Sequence, residues 1–272
     1  MVATLIRYEW LRTWRVLALI FGGALLFTGM SALAASVLPG PLNMVFAIVG
    51  IVVTCAFPIV LTFLLGVDFY RSTFSKTGYF TAAIPARGAT IFWVKFGYGC
   101  VFALLGLAGT VGLAILANIG FVHATGGTTA QVLAMIDAVR DGLGMLPLGL
   151  RLLVFGFVLI YPCATLAQLY FAATVGSEAT FSRLGLGGPV LVWFLYYVGT
   201  QLAAILGLFL PPTLDITNPL APTVTYDPLA FFRDNQTGSA FLPLAAILMT
   251  VVVAVVAIVW AKVSYDKRLE LR

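Results

Sequence analysis

The chain has 272 residues, 61% of them apolar and 9% charged, with a mean hydropathy of +1.07 and a formal net charge of +5. A soluble domain carries about 25% charged residues. Fifteen cations and ten anions are too few to keep this much apolar surface dissolved, whereas lipid demands no polar face. The composition therefore excludes a soluble globular protein and predicts an all-α integral membrane protein. The positive balance reads as membrane topology and attraction to anionic lipid, and no basic face with interleaved aromatics points to nucleic acid.

Residues 1–15 place Val2, Ile6, Trp10 and Trp14 at steps of four, with Tyr8, Arg12 and Arg15 across from them. Apolar residues with Trp on one side and Arg on the other describe a helix lying in the membrane interface. A simple juxtamembrane cationic anchor with Trp at headgroup level is the other reading. Crossing the hydrocarbon core takes about 20 mostly apolar residues. Windows of that kind lie near 16–37, 44–66, 90–119, 147–172, 189–210 and 239–261, so six transmembrane helices are expected. The first ends in Ala32-Leu33-Ala34, the small-x-small form of a signal-peptidase site. A long basic region containing Glu9 and two Trp, followed by five more spans, argues that the first span is retained.

Lys and Arg concentrate on the cytoplasmic side of short loops. With both termini inside, the cytoplasmic segments hold Arg7, Arg12, Arg15, Arg71, Lys76, Arg87, Lys95, Arg183, Lys262, Lys267, Arg268 and Arg272, leaving Arg140, Arg151 and Arg233 outside. Twelve against three sets the orientation: a multi-pass protein of the cell membrane with both ends cytoplasmic.

Between the second and third spans, residues 67–88 form a cytoplasmic loop. Val67, Tyr70 and Phe74 fall on one helical side, with Arg71, Ser75 and Lys76 toward the other, and Gly78 offers a helix stop. A short helix over 67–77 is expected. Tyr79 to Ile84 is apolar, Pro85 interrupts it, and Arg87 and Lys95 flank the entry to the third span. In that span Gly106, Thr110 and Ala114 form a small-residue stripe for close helix approach. Pro58 and Pro162 should kink the second and fourth spans.

In the outside segment 121–146, Val132, Met135, Ile136, Val139 and Leu143 recur at helical spacing while Asp137, Arg140 and Asp141 point away, predicting a short helix on the outer surface. Segment 211–238 carries Pro211, Pro212, Pro219, Pro222 and Pro228 and cannot be one helix, so it reads as an ordered external loop or a partly re-entrant one. The whole of 1–272 is then a single transmembrane domain.

Chemistry is scarce. Asp68, Lys95, Arg151, Glu178 and Arg183 lie near span ends, where long side chains reach water. No paired carboxylates, serine-nucleophile motif or metal-spaced His and Cys occur, and His123 is the only histidine. Cys55, Cys100 and Cys163 read as small core residues. No phosphate-cradling G-x-x-x-x-G-K-S/T loop is present, so any ATP must be bound by another chain.

The run Phe69-Tyr70-Arg71, then Lys76-Thr77-Gly78-Tyr79-Phe80-Thr81, Ile84-Pro85 and Lys95, resembles the cytoplasmic loop of ABC-2 type transporter permeases. Members often read F-Y, G-Y-L-T, L-P-V and S-K there. Lys76-Thr77 stands where relatives commonly carry acidic residues. The likeness in plan extends over nearly the whole chain. It implies a non-enzymatic permease subunit of an ATP-binding cassette exporter in a bacterial plasma membrane. It also implies a second permease subunit, identical or homologous, and a dimer of cytoplasmic ATPase subunits that holds the ATP and Mg. The loop would dock on the ATPase through Tyr70, Arg71, Phe74, Lys76, Gly78, Tyr79 and Pro85. An apolar interior with few amides favours an amphipathic or hydrophobic cargo such as a lipid, peptide antibiotic or drug. The alternative from another class is a non-transporting assembly or scaffold subunit.

Overall fold

A computed structural model describes residues 2–75, 87–178, 181, 184–185, 187–218, 220–227 and 241–267. Among them are seven helices: α1 (Val2–Val37), α2 (Pro41–Phe74), α3 (Gly88–Ala124), α4 (Thr129–Met145), α5 (Leu148–Val175), α6 (Gly187–Leu208) and α7 (Leu244–Lys267). All except α4 are long and apolar enough to cross a membrane, so the chain is a multi-pass, all-α membrane protein. Its lipid-compatible exterior is plain in fully apolar side chains such as Leu19, Leu26, Ile59 and Val190, each exposed along a span.

Two expected boundaries are absent. Residues 2–15 and the first span form one uninterrupted helix, because nothing between Arg15 and Val16 breaks the backbone ladder. Likewise α2 does not stop at Gly66: the helix expected over 67–77 is, through Phe74, the continuation of the second span. At 1.5 Å per residue α1, α2 and α3 are each more than about 50 Å long, well beyond a hydrocarbon core of about 30 Å. Helices α2 and α5 run through Pro58 and Pro162 without a break.

The chain divides into two compact units. The first comprises residues 1–65 and 93–144. Here Gly120 of α3 meets α1 so closely that a Cβ would lie 2.8 Å from the Cα of Ala32, and Gly106 has Leu61 of α2 against it. Small residues permit these backbone approaches, which supply packing where lipid provides no hydrophobic drive. Phe21 and Phe57 meet edge-on at 5.1 Å, and Asn43 Nδ2 donates to the Ala124 carbonyl at 3.1 Å.

The second unit comprises residues 66–92 and 145–272. Helices α5, α6 and α7 pack pairwise on one another. Within segment 211–238, which proline keeps from being helical, the described part holds β1 (Thr213–Asp215) and β2 (Thr223–Thr225). They join β3 (Phe241–Pro243) in an antiparallel sheet of order β2-β1-β3, with Leu214 opposite both Val224 and Leu242. Thr217 N–H donates to Asp215 Oδ1 at 2.9 Å, and the hydrogen bonds from Thr217 hold the Asp215 carboxyl below its usual range.

Candidate functional site: the stems of the α2–α3 loop

The expected docking loop rises from two stems, the end of α2 and the start of α3, both in the second unit. Lys76, Gly78, Tyr79 and Pro85 lie outside the described residues; Tyr70, Arg71 and Phe74 lie within them. Helix α2 keeps its winding past Gly66 because one side of the extension is buried. Phe69 is 1% exposed and stacks on Tyr170 of α5, with ring centroids 3.8 Å apart and planes at 15°. Ser72 and Thr73, on the same side, are buried, and Ser72 Oγ donates to the Phe69 carbonyl at 3.2 Å.

The other stem enters the same cluster. Phe92 of α3 is fully buried and stands edge-on to Phe69 at 6.1 Å and to Tyr170 at 6.2 Å. Tyr265 of α7 closes the group, 5.6 Å from Phe92 and 6.4 Å from Phe74. At the first residue of α3, Gly88, a Cβ would sit 2.9 Å from Asp266 Oδ1 and 3.4 Å from the Tyr265 ring. Five aromatic rings thus tie both stems to α5 and α7. Such edge-on and stacked pairs contribute about 0.5–1.5 kcal/mol each beyond area burial.

The sequence-derived candidates split across this cluster. Phe74 is half-buried, facing Phe69 and Tyr265 inside the chain. Tyr70 is half-exposed, 6.0 Å from Phe74, and Arg71 is exposed. The side of the α2 extension turned away from the cluster therefore presents Arg71 and part of Tyr70. Beside the cluster, Ser264 Oγ of α7 donates to Glu178 Oε1 at 2.6 Å, and Lys262 pairs with Asp266 at 3.0 Å. The Ser264–Glu178 bond ties the turn after α5 to the end of α7, while the Lys262–Asp266 pair lies within α7.

Sequence reasoning named Phe69 only within the loop motif, and Phe92, Tyr170 and Tyr265 not at all. Their one shared signal is an aromatic residue in the last or first turns of a span, which is as common in interfacial belts.

Lys95, the last residue of the motif, belongs to the first unit and corrects an expectation. It does not reach water at the span end: it is 4% exposed and pairs with Glu9 Oε1 of α1 at 2.9 Å. Glu9 also accepts from Arg12, the Thr13 and Tyr98 hydroxyls lie 2.5 Å apart, and Trp10 stacks near Phe102 at 5.9 Å. An ammonium this deeply buried needs a carboxylate at hand, and α1 provides one by continuing as helix to residue 2. Cys55, Cys100 and Cys163 form no disulfide. Comparison of the chain with family models, curated proteins and solved structures found no match in any of the three.

Proposed function

We propose that the chain is the membrane-spanning permease subunit of an ATP-binding cassette exporter, driven by a separate ATPase. The observation that carries this reading is the mounting of the α2–α3 loop. A loop that only connects spans has no need of two stems bound by five rings to two further spans. A loop that passes force from a moving partner does, because force applied to a soft mount is dissipated before it reaches the helices. Pushing on Tyr70 and Arg71 would be felt through Phe69 and Phe74 by α5 and α7. Six spans and the loop residues Phe69-Tyr70-Arg71 agree with the resemblance to ABC-2 permeases.

On this reading the loop faces the cytoplasm, two permease subunits share a translocation path, and the cargo is amphipathic or hydrophobic. The test is purification of the tagged chain from its native membrane, with identification of stoichiometric partners by mass spectrometry. The expected partner is a protein with a phosphate-cradling loop, and ATP turnover is expected from the complex and not from the chain alone. An active complex lacking an ATPase subunit overturns the proposal.

A further inference from the structure

In the first unit, charged side chains gather in two places: on α4, and at the end of α1 where its apolar run stops, together with Lys95 of α3. Residues 16–37 of α1 carry no charge and measure about 33 Å along the axis, which matches a hydrocarbon core of about 30 Å. Arg15 therefore stands at the edge of that core, with Arg12 about 5 Å and Arg7 about 12 Å further along the helix. The headgroup layer is about 5–8 Å deep on each side. Long arginine side chains reach back toward it, so all three address the same layer.

Around the helix the charges are sorted by sign. Leu5, Thr13 and Leu17 share one side of α1 and are buried. Glu9 lies on that side, 2.9 Å from Lys95 and 2.5 Å from Arg12. The remaining arc of about 200°, from Trp10 round to Arg12, is exposed, holds Arg7 and Arg15 between Trp14 and Tyr8, and contains no acid. Arg7 and Arg15 form no ion pair among the described residues, and Arg15 stands over the Trp14 ring at 5.7 Å. Arg7, Arg12, Arg15 and Lys95 against Glu9, four cations and one acid, leave three net positive charges at this end. The unit's other acids, Asp137 and Asp141, are on α4, past the end of α3 that lies about 44 Å along its axis from Lys95. We infer that the exposed arc of residues 7–15 is a binding surface for anionic phospholipid, its arginines holding headgroup phosphates between Trp14 and Tyr8. The occupant is lipid and not an acidic protein because the cations sit at headgroup depth, interleaved with aromatic rings as at a membrane interface. Lys95 has a part in this: by pairing with Glu9 on the buried side, it keeps the one nearby carboxylate of this unit away from Arg7 and Arg15. The surface requires only that the chain be embedded in a bilayer, so its failure and that of the transporter reading are separate.

The test uses the full chain with Trp93, Trp193 and Trp260 replaced by Phe, so that Trp10 and Trp14 of the arc report alone, reconstituted in phosphatidylcholine bilayers. Phosphatidylglycerol or phosphatidylcholine brominated near the headgroup is added at low mole fraction, and tryptophan quenching is read. One cation near an anionic surface contributes about fivefold in association, so Arg7 and Arg15 set a ceiling of about 25-fold, and a preference for phosphatidylglycerol of at least about fivefold is expected. The triple variant Arg7→Gln, Arg12→Gln, Arg15→Gln should lose the preference, and Arg15→Gln alone should fall between it and the parent. A control, Arg140→Gln with Arg151→Gln, should match the parent. Equal quenching by the two lipids in the parent overturns the inference, as does a preference that survives in the triple variant. Weak quenching by both lipids, which would mean that protein covers the arc, overturns it too.

Discussion

Truncating Phe69 and Tyr70 separately should divide the mounting of the α2–α3 loop from its exposed surface. Phe69 is almost fully buried and touches three rings: Tyr170 in a stack, Phe92 and Phe74 edge-on. Removal of a buried phenylalanine side chain costs about 3–5 kcal/mol, so Phe69→Ala should lose about 4 kcal/mol. Phe69→Leu keeps most of the apolar volume but forfeits three ring pairs at about 0.5–1.5 kcal/mol each. Its lower limit is therefore about 1.5 kcal/mol, and about 2 kcal/mol is expected once the fit of the leucine is included. Tyr70, only half-buried and close to one ring, should cost about 1 kcal/mol or less as alanine. Equilibrium unfolding in mixed lipid and detergent micelles reads all three. A Phe69→Ala variant within about 1 kcal/mol of the parent would show that the rings do not form a core and remove the basis for a stiff mount.

Two further substitutions and one labelling pattern probe other parts of the chain. Gly120→Ala should destabilise by about 1–3 kcal/mol because its Cβ would press on the α1 backbone at Ala32, whereas Gly97→Ala, with open space around it, should be neutral or slightly stabilising. Thermal unfolding of the pair decides it, and equal behaviour would refute the close crossing. Among the described residues, Thr28 holds a fully buried hydroxyl without a hydrogen-bond partner, so Thr28→Val should raise stability by about 1 kcal/mol. A loss of that size in the same unfolding assay would instead reveal a bond to an internal water. For topology, cysteines at Ser36 and Thr128 should react with an impermeant thiol reagent from outside intact cells, and one at Ser75 should not. Labelling of Ser75 from outside would invert the proposed orientation.

The spans were legible because a run of about 20 apolar residues has few alternatives in any solvent. Helix α4 was legible for a different reason: Val132, Met135, Ile136, Val139 and Leu143 carry an unmistakable period. The joins at residues 15 and 66 misled because a change from apolar to charged composition marks the membrane surface, not the end of a helix. Backbone winding continues across that surface unless glycine, proline or a competing contact stops it. The strands β1, β2 and β3, three residues each, are too short to show alternation.

At the candidate site, sequence picked out Tyr70, Arg71 and Phe74 from local helical spacing. It could not pair Phe69 with Tyr170, or Lys95 with Glu9, since those partners are about a hundred residues apart and meet only through tertiary packing. Lys95 is the sharper lesson. A lysine near a span end usually snorkels to water, but a carboxylate on a neighbouring helix offers a charged partner that competes with hydration.

The most direct test of the transporter reading is equilibrium binding of the proposed ATPase, identified by copurification, to lipid nanodiscs containing the parent chain or its Tyr70→Ala, Phe74→Ala variant. If Tyr70 anchors the docking surface and Phe74 holds its mount, the variant should bind about 30-fold more weakly, the equivalent of about 2 kcal/mol. It should also fail to support ATP turnover at parental ATPase concentrations. Because Phe74 also faces Tyr265 within the chain, the variant must first be shown to insert and remain monodisperse. A variant that inserts normally, binds the ATPase as tightly as the parent and sustains the same turnover would contradict the proposed coupling through this loop.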